Sequence, residues 1–473
     1  MIDNALPVIR PAPPWAPSRR VPSRRVVALA PAALACALGL WGIRREGTLW
    51  GDEAVTHAMA LRSVPEIWQT LTTVDAVHGL YYLLMHGVFE VFGPGLLALR
   101  LPSLLGICAT ATAVALLGRR LAGPRAGLLA GLVLPLLPDA QRYAQEGRSY
   151  ALVCALVAIG TLLLDERRWR AYAVVMLAAC LMHEFAVLAL VAHGVTVRGT
   201  RSRGWALAAL AVGAVLSPLV VHSTTQSAQV DWIAAPDTGD LVFFATLVLV
   251  GWLCARTPGG ARVRAVALPL LTLPMGLLLA VSFVHPLFVD RYVLPYLVGL
   301  ALLLGAALDH HWSGVTALAA TGAAVASLIV LGPALRSPES RKSDVTAVSE
   351  LVRSTARPGD GILFTPMQRR AWTLAHPEAV AGLTDLSLRS SPRASHTLYG
   401  VEDSPTEIRD RLLHHEGRVV VVQDREGGAP DATAGEAMKR AVLADFFTLC
   451  TERTANQARV GVYVRNGDCT EVR

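Results

Sequence analysis

Charge is what this chain has least of. Only 17% of its 473 residues are Asp, Glu, Lys or Arg, where ordinary soluble domains carry roughly a quarter. That shortfall, with 53% hydrophobic residues and a mean hydropathy of +0.45, excludes an ordinary soluble domain and reads as a polytopic membrane protein. Metal-type cysteine spacing is also lacking. Five of the seven cysteines (Cys36, Cys108, Cys154, Cys180 and Cys254) fall in apolar runs as packing residues. Cys450 and Cys469 stand apart in the polar tail, where free thiols and a disulfide are both open readings. No internal repeat is evident, which weakens an inverted-repeat transporter. The net charge of +7 does not indicate nucleic acid, because the arginines cluster in short loops between apolar runs, as the positive-inside rule expects. Residues 1–25 are Pro-rich and basic, with Arg19, Arg20, Arg24 and Arg25, and the apolar run behind them reads as a retained signal anchor with a cytoplasmic N-terminus.

What is there is a series of apolar runs. A helix needs about 20 apolar residues to cross a bilayer. Runs at 26–43, 96–117, 123–139, 149–164, 171–182, 185–197, 204–221, 240–254, 265–284, 293–308 and 314–333 give eleven predicted spans, some of half length. Arg119, Arg120 and Arg125 mark one cytoplasmic loop; Arg167, Arg168 and Arg170 a second; Arg198, Arg201 and Arg203 a third; Arg256, Arg262 and Arg264 a fourth. A further run at 79–93 is short and carries His86 and Glu90, so it reads as an interfacial helix within one long external loop, 44–95. Residues 171–197 have arginines at both ends, which two half-helices turning at His183-Glu184 would reconcile; one long tilted helix is the alternative.

Three regions follow: a cytoplasmic tail (1–25), a mostly α transmembrane domain (26–335) and a soluble α/β domain outside the membrane (336–473). In the last, strands are expected at Gly361–Thr365, 418–423 and 460–465, and helices at 343–355 and Pro405–His414. Trp41, Trp50, Trp169, Trp205, Trp252 and Trp312 lie near predicted helix ends, as interfacial tryptophans do.

Under this topology the polar residues gather on the outer face. The first loop carries Asp52, Glu53, His57, Asp75, His78, Tyr81 and Tyr82, and the next carries Gln141, Arg142, Tyr143, Gln145, Glu146, Arg148 and Tyr150. Asp231-Trp232 and the group His285, Asp290, Arg291 and Tyr292 complete the set. The mixture suits group transfer from a lipid phosphate. An acceptor hydroxyl is a poor nucleophile that a carboxylate base activates. The departing phosphate needs cations, preferably the arginine fork. Asp52 supplies the first requirement, and Arg148 and Arg291 the second.

The order Trp50-Gly51-Asp52-Glu53, then His78-Gly79-Leu80-Tyr81-Tyr82, Phe92-Gly93 and Leu99-Arg100-Leu101-Pro102-Ser103, resembles the GT-C superfamily of polyprenyl-phosphate-sugar-dependent glycosyltransferases. Residues 118–128 (GRRLAGPRAGL) and 145–150 (QEGRSY) strengthen the resemblance, which is nearest to the protein-mannosyltransferase and aminoarabinose-transferase branch. It covers residues 26–200 well and extends weakly to Arg291-Tyr292-x-Leu294-Pro295. It implies a catalytic aspartate at Asp52, a polyprenyl-phosphate sugar donor (mannose first, with hexosyl or pentosyl transfer in general) and inversion at the sugar. It also implies interfacial helices over 54–93. Some relatives bind a divalent metal ion near this loop, for which Asp75 and His78, at i and i+3, are the candidate ligands; no other cofactor is indicated. One departure stands out: relatives commonly place prolines after the histidine, where this chain has Gly79-Leu80.

Each residue also has a plainer reading. Asp52 is suited to capping the helix that follows it. Glu53 is either an acid that binds the acceptor or supports Asp52, or a first-turn acid favoured by the helix dipole. Arg148 reads as phosphate-binding or as a snorkelling helix-end arginine, and Arg291 as phosphate-binding or as the partner of Asp290. Tyr82, Tyr150 and Tyr292 read as substrate-binding within the motif set and as belt residues singly. Asp75, His78 and Glu146 are grouped with the substrate-binding residues. Arg100 reads as a helix-end anchor. His183 and Glu184 are either functional intramembrane groups or a satisfied pair. The expectation is a multi-pass cell-membrane glycosyltransferase with its active site outside, acting on a lipid, glycan or protein acceptor; a transporter or flippase of a lipid-linked substrate is the alternative.

Overall fold

In the computed structural model, residues 21–198, 202–257, 260–425, 433–465, 467, 469 and 470 are described. Arg19, Arg20 and Arg201, used above to assign sides, lie outside the described residues. Among the described residues, six helices are long and apolar enough to span a membrane: Arg24–Gly47, Leu96–Ala122, Arg203–Thr224, Thr238–Ala255, Ala261–Ser282 and Gly314–Arg336. Five shorter apolar helices accompany them, Pro124–Leu136, Tyr150–Asp165, Trp169–Met182, Glu184–Val197 and Tyr296–His310. Each corresponds to one predicted run. The chain is a mostly helical, multi-pass membrane protein with a small β-sheet region near its C-terminus.

The helices approach closely because small residues sit at their crossings, as van der Waals packing in lipid requires. A Cβ on Gly127 would lie 2.3 Å from the Arg119 nitrogen, and one on Gly305 2.4 Å from the Ala130 nitrogen. The predicted span 123–139 ends early. Pro135 sits in a 3₁₀ turn, Leu134–Leu136, and Pro138 starts a new short helix, Pro138–Ala144. This break carries the chain into the Gln145–Ser149 turn. Helical geometry also stops at His183, whose backbone is extended, and resumes after a 3₁₀ turn at Glu184–Ala186. The two halves pack on different neighbours, the first on Tyr150–Asp165 and Arg203–Thr224, the second on Ala261–Ser282.

Between the first two long spans lie three short helices, α1 (Gly51–Ala60), α2 (Val64–Thr73) and α3 (Gly79–Phe92). α2 carries a capping box, Ser63 and Glu66. α3 is the apolar run at 79–93, and it packs on α1 and α2.

The C-terminal sheet has five strands in the order β2-β1-β5-β7-β6: β1 (Gly361–Thr365), β2 (Thr384–Asp385), β5 (Val419–Asp424), β6 (Phe447–Ala455) and β7 (Ala458–Arg465). β1 runs parallel to β2 and β5, whereas β7 is antiparallel to both β5 and β6. A two-stranded ribbon, β3 (Leu388–Ser390) and β4 (Val401–Glu402), stands beside it. β5 (VVVVQD) has four buried valines in succession, as a strand covered on both faces does. β6 lacks an apolar alternation and is largely exposed, which is why its sequence did not mark it as a strand. Cys450 and Cys469 form a disulfide, with Cα atoms 5.4 Å apart.

One hydrophobic core joins this sheet to the first loop. It contains Leu49, Met59, Tyr81, Tyr82 and Leu99 together with Val345, Val348, Phe364, Trp372 and Val420. Backbone bonds reinforce the seam: Val345 N–H donates to the Leu49 carbonyl (2.8 Å), and Gly51 N–H to Ser343 Oγ (3.0 Å). The loop and the sheet are therefore expected to unfold together. Trp372→Ala, inside this core, should cost about 3–5 kcal/mol. Limited proteolysis of the purified protein should then show cleavage within residues 49–99 as well as in the sheet.

Candidate functional site

The site is built on a buried ion cluster. Glu53, in the first turn of α1, is 0% exposed. Its carboxylate receives Arg100 Nε at 2.7 Å and Nη2 at 2.8 Å, Arg45 Nη2 at 3.1 Å and the Gly147 backbone N–H at 2.9 Å. Arg100 also donates to the carbonyls of Ile43 and Thr48, and Arg45 to that of Gln145. One carboxylate thus ties together the end of the first span, α1, the second span and the Gln145–Ser149 turn. Burial alone would raise the Glu53 carboxyl, but Arg100 and Arg45 outweigh it and bring it down to about 2.

Asp52 precedes Glu53 in the same turn, so it projects about 100° away around the helix. It is one-third exposed and lies between two arginines. Arg291 Nη2 is 3.5 Å from Asp52 Oδ2, and Arg148 Nε is 3.9 Å from the same atom.

Arg148 lies in the turn that Glu53 holds, and Ser103 Oγ–H donates to its carbonyl (2.9 Å). Its Nη2 meets His78 Nε2 at 2.9 Å, while Nη1 has only long contacts, to Thr56 Oγ1 (3.4 Å) and the Tyr82 hydroxyl (3.5 Å). Its Nε has no hydrogen-bond partner. Arg291 is set in an aromatic surround, with Trp50, Tyr150 and Trp232 each 5.7 Å and Tyr292 5.5 Å from the guanidinium. Its Nε donates to the Tyr150 hydroxyl (3.1 Å).

Asp75, with a left-handed backbone (φ 59°), accepts from His78 Nδ1 at 2.8 Å through one oxygen and from the Tyr82 hydroxyl through the other. Burial would raise the Asp75 carboxyl, but His78 and Arg148 hold it well below the carboxylate range. Burial and the Arg148 charge together keep His78 below its ordinary value. His183, at the helix break, packs its ring 5.4 Å from His78 and 4.6 Å from Tyr292, and its Nδ1 is buried without a partner.

The structure thus gathers Asp52, Asp75, His78, Tyr82, Arg148, Tyr150, Arg291 and Tyr292 into one cluster from four separate stretches of chain. Glu53 is committed to Arg45 and Arg100. Glu146 is also buried apart, 3.0 Å from Arg341 Nε, with burial raising its carboxyl. Glu184 accepts from Ser223 and not from His183. The residues sequence reasoning passed over are Arg45, Arg341 and Tyr399. A signal existed for the cluster: Arg100 begins an apolar helix, where a charge needs a buried partner. Tyr399, from the loop between β3 and β4, has its hydroxyl pushed up to about 12 by burial and by Asp75 and Asp52, against the pull of Arg148 and Arg369. The sheet region therefore reaches the cluster's electrostatic field.

The Asp75–His78 pair does not fit a metal ion. His78 Nε2 has one lone pair, and the Arg148 guanidinium, a donor only, takes it. Each Asp75 oxygen already accepts one internal hydrogen bond, and a dication there would face Arg148 directly.

Similarity to solved structures lies in the fold. The chain superposes on ArnT from Cupriavidus metallidurans bound to undecaprenyl phosphate with a TM-score of 0.58, 14% identity, and coverage of 93% of this chain and 98% of that one. The apo form of ArnT gives 0.54, 13%, 92% and 97%. The chain therefore shares its overall fold with these structures. No protein-family model matches the chain, and no curated protein matches it in sequence.

Glu53→Gln should leave two buried guanidinium groups without a counter-charge and cost about 3–5 kcal/mol. Because the folded value near 2 lies below the ordinary 4.5, this stabilisation is complete above pH 4.5 and fades as pH falls through 2. Thermal melts at pH 7 and pH 3 should show the wild type approaching the variant at the lower pH.

Proposed function

We propose that this protein is a GT-C-type membrane glycosyltransferase that moves a sugar, mannose first, from a polyprenyl-phosphate donor to a hydroxyl acceptor on a lipid, glycan or protein at the outer face. The observation that carries this reading is the placement of Asp52 between Arg148 and Arg291. In the transfer, Asp52 takes the proton of the acceptor hydroxyl as its oxygen attacks the anomeric carbon. The bond from that carbon to the phosphate oxygen breaks with inversion, and polyprenyl phosphate leaves as an anion. Arg148 and Arg291 hold its oxygens, so charge that develops on the leaving group meets preorganised donors. The rings of Trp50, Tyr150, Trp232 and Tyr292 fix the Arg291 fork and exclude water from it.

The likeness to ArnT bound to undecaprenyl phosphate supports the donor class. A transporter would hold its substrate at mid-membrane on repeated halves. His183, an intramembrane ionisable group of the kind a transporter would use, packs against Tyr150, Tyr292 and His78.

The test is sugar transfer from radiolabelled polyprenyl-phosphate mannose in membranes containing each variant. Asp52→Asn should lower kcat by about 10²–10⁴-fold with little change in donor KM. Arg148→Ala and Arg291→Ala should raise donor KM as well. Equal transfer by wild type and Asp52→Asn would remove Asp52 from the mechanism.

A further inference from the structure

Of the charged side chains in the cluster, Arg148 is the one whose placement depends on another polar relay. Its partners leave no freedom in how protons are arranged. The Asp75 carboxylate only accepts, so the nitrogen 2.8 Å from it, His78 Nδ1, carries hydrogen. The Arg148 guanidinium only donates, so the nitrogen 2.9 Å from it, His78 Nε2, presents a lone pair. The imidazole is neutral and locked in the Nδ1–H form. Tyr82 closes the other Asp75 oxygen. Gln229 and Gln226 accept from the backbone N–H groups of Asp75 and Ala76 (2.9 and 3.0 Å), holding the left-handed turn in place.

The result for Arg148 is a division of its five N–H donors. One Nη2 donor is consumed by His78. Nε is without a partner, Nη1 has only contacts of 3.4 and 3.5 Å, and the Nε edge faces Asp52. A side chain tethered through one nitrogen, with its remaining donors under-used beside a carboxylate, is set to receive an oxyanion.

We propose that Asp75 and His78 are positioning residues that orient Arg148 through the fixed Nδ1–H tautomer, so that its Nε and Nη1 donors are left for the phosphate of a polyprenyl phosphate. The inference rests on the proposed function. Substituting Asp75 by Asn keeps a carbonyl acceptor for His78 Nδ1–H but removes the charge that favours this tautomer. Gln at position 78 offers a carbonyl oxygen where Nε2 stood and keeps the acceptor.

The experiment is equilibrium binding of undecaprenyl phosphate to the purified full-length protein, followed by tryptophan fluorescence, with Trp50 and Trp232 near Arg291 as reporters. His78→Leu should weaken binding about 10-fold and Asp75→Asn by less, and His78→Gln should return it to within about 3-fold of wild type. Adding His78→Leu to Arg148→Ala should produce no further loss, because the relay acts only through Arg148. Additive losses in that double variant, or equal weakening by His78→Gln and His78→Leu in folded protein, would overturn the relay while leaving the donor assignment intact. Manganese binding that His78→Gln abolishes would overturn it too. Absence of undecaprenyl phosphate binding by the wild type would overturn both the relay and the proposed function.

Discussion

Everything at this site hangs on one buried carboxylate. Glu53 neutralises Arg100 and Arg45 at a point where the first span, the second span, α1 and the Gln145–Ser149 turn converge. A buried ion pair is weak evidence of stability in itself, because desolvating each ion costs several kcal/mol. Its value here is geometric. Four stretches of chain can meet in one arrangement only if both guanidinium groups find the same carboxylate, and that arrangement sets Asp52 and Arg148 face to face. The adjacent acids of the Asp-Glu pair therefore divide labour by helix geometry: one faces inward to hold the frame, the other faces the arginines.

Most of the fold was legible because lipid makes a simple demand. Each apolar run had to be a helix, and each became one, with the proline pair at 135 and 138 cutting one run short. The sheet was read less completely. β5 announced itself by four consecutive valines and β1 by a short buried apolar run (GILFT), whereas the edge strand β6 (FTLCTERTA) is largely exposed and carried no such mark. What no local pattern could reveal was that residues 336–473 share a core with the first loop, since the contacts span some 300 positions of sequence.

The candidate site was legible to a similar degree. Asp52, Arg148 and Arg291 could be named from residue type and predicted side, and the structure brings them within 4 Å of a common oxygen. The Glu53 arrangement was hidden because an acid after Asp52 looks the same whether it faces substrate or a buried arginine. Arg45 was hidden for the opposite reason: it sits just past a span, where a basic residue attracts no notice. The Asp75–His78 pair was visible by spacing, but spacing alone does not tell a metal-binding pair from a relay. In the structure His78 Nε2 meets a guanidinium from 70 residues away, a contact that spacing could not show.

In the proposed function, Asp52, Arg148 and Arg291 form one phosphate-sugar site. The most direct measurement is an experimental structure of the full chain with undecaprenyl phosphate bound. The account predicts the phosphate within hydrogen-bonding distance of both guanidinium groups, beside Asp52. A phosphate seated elsewhere, with Arg148 and Arg291 still closed on Asp52, would contradict it.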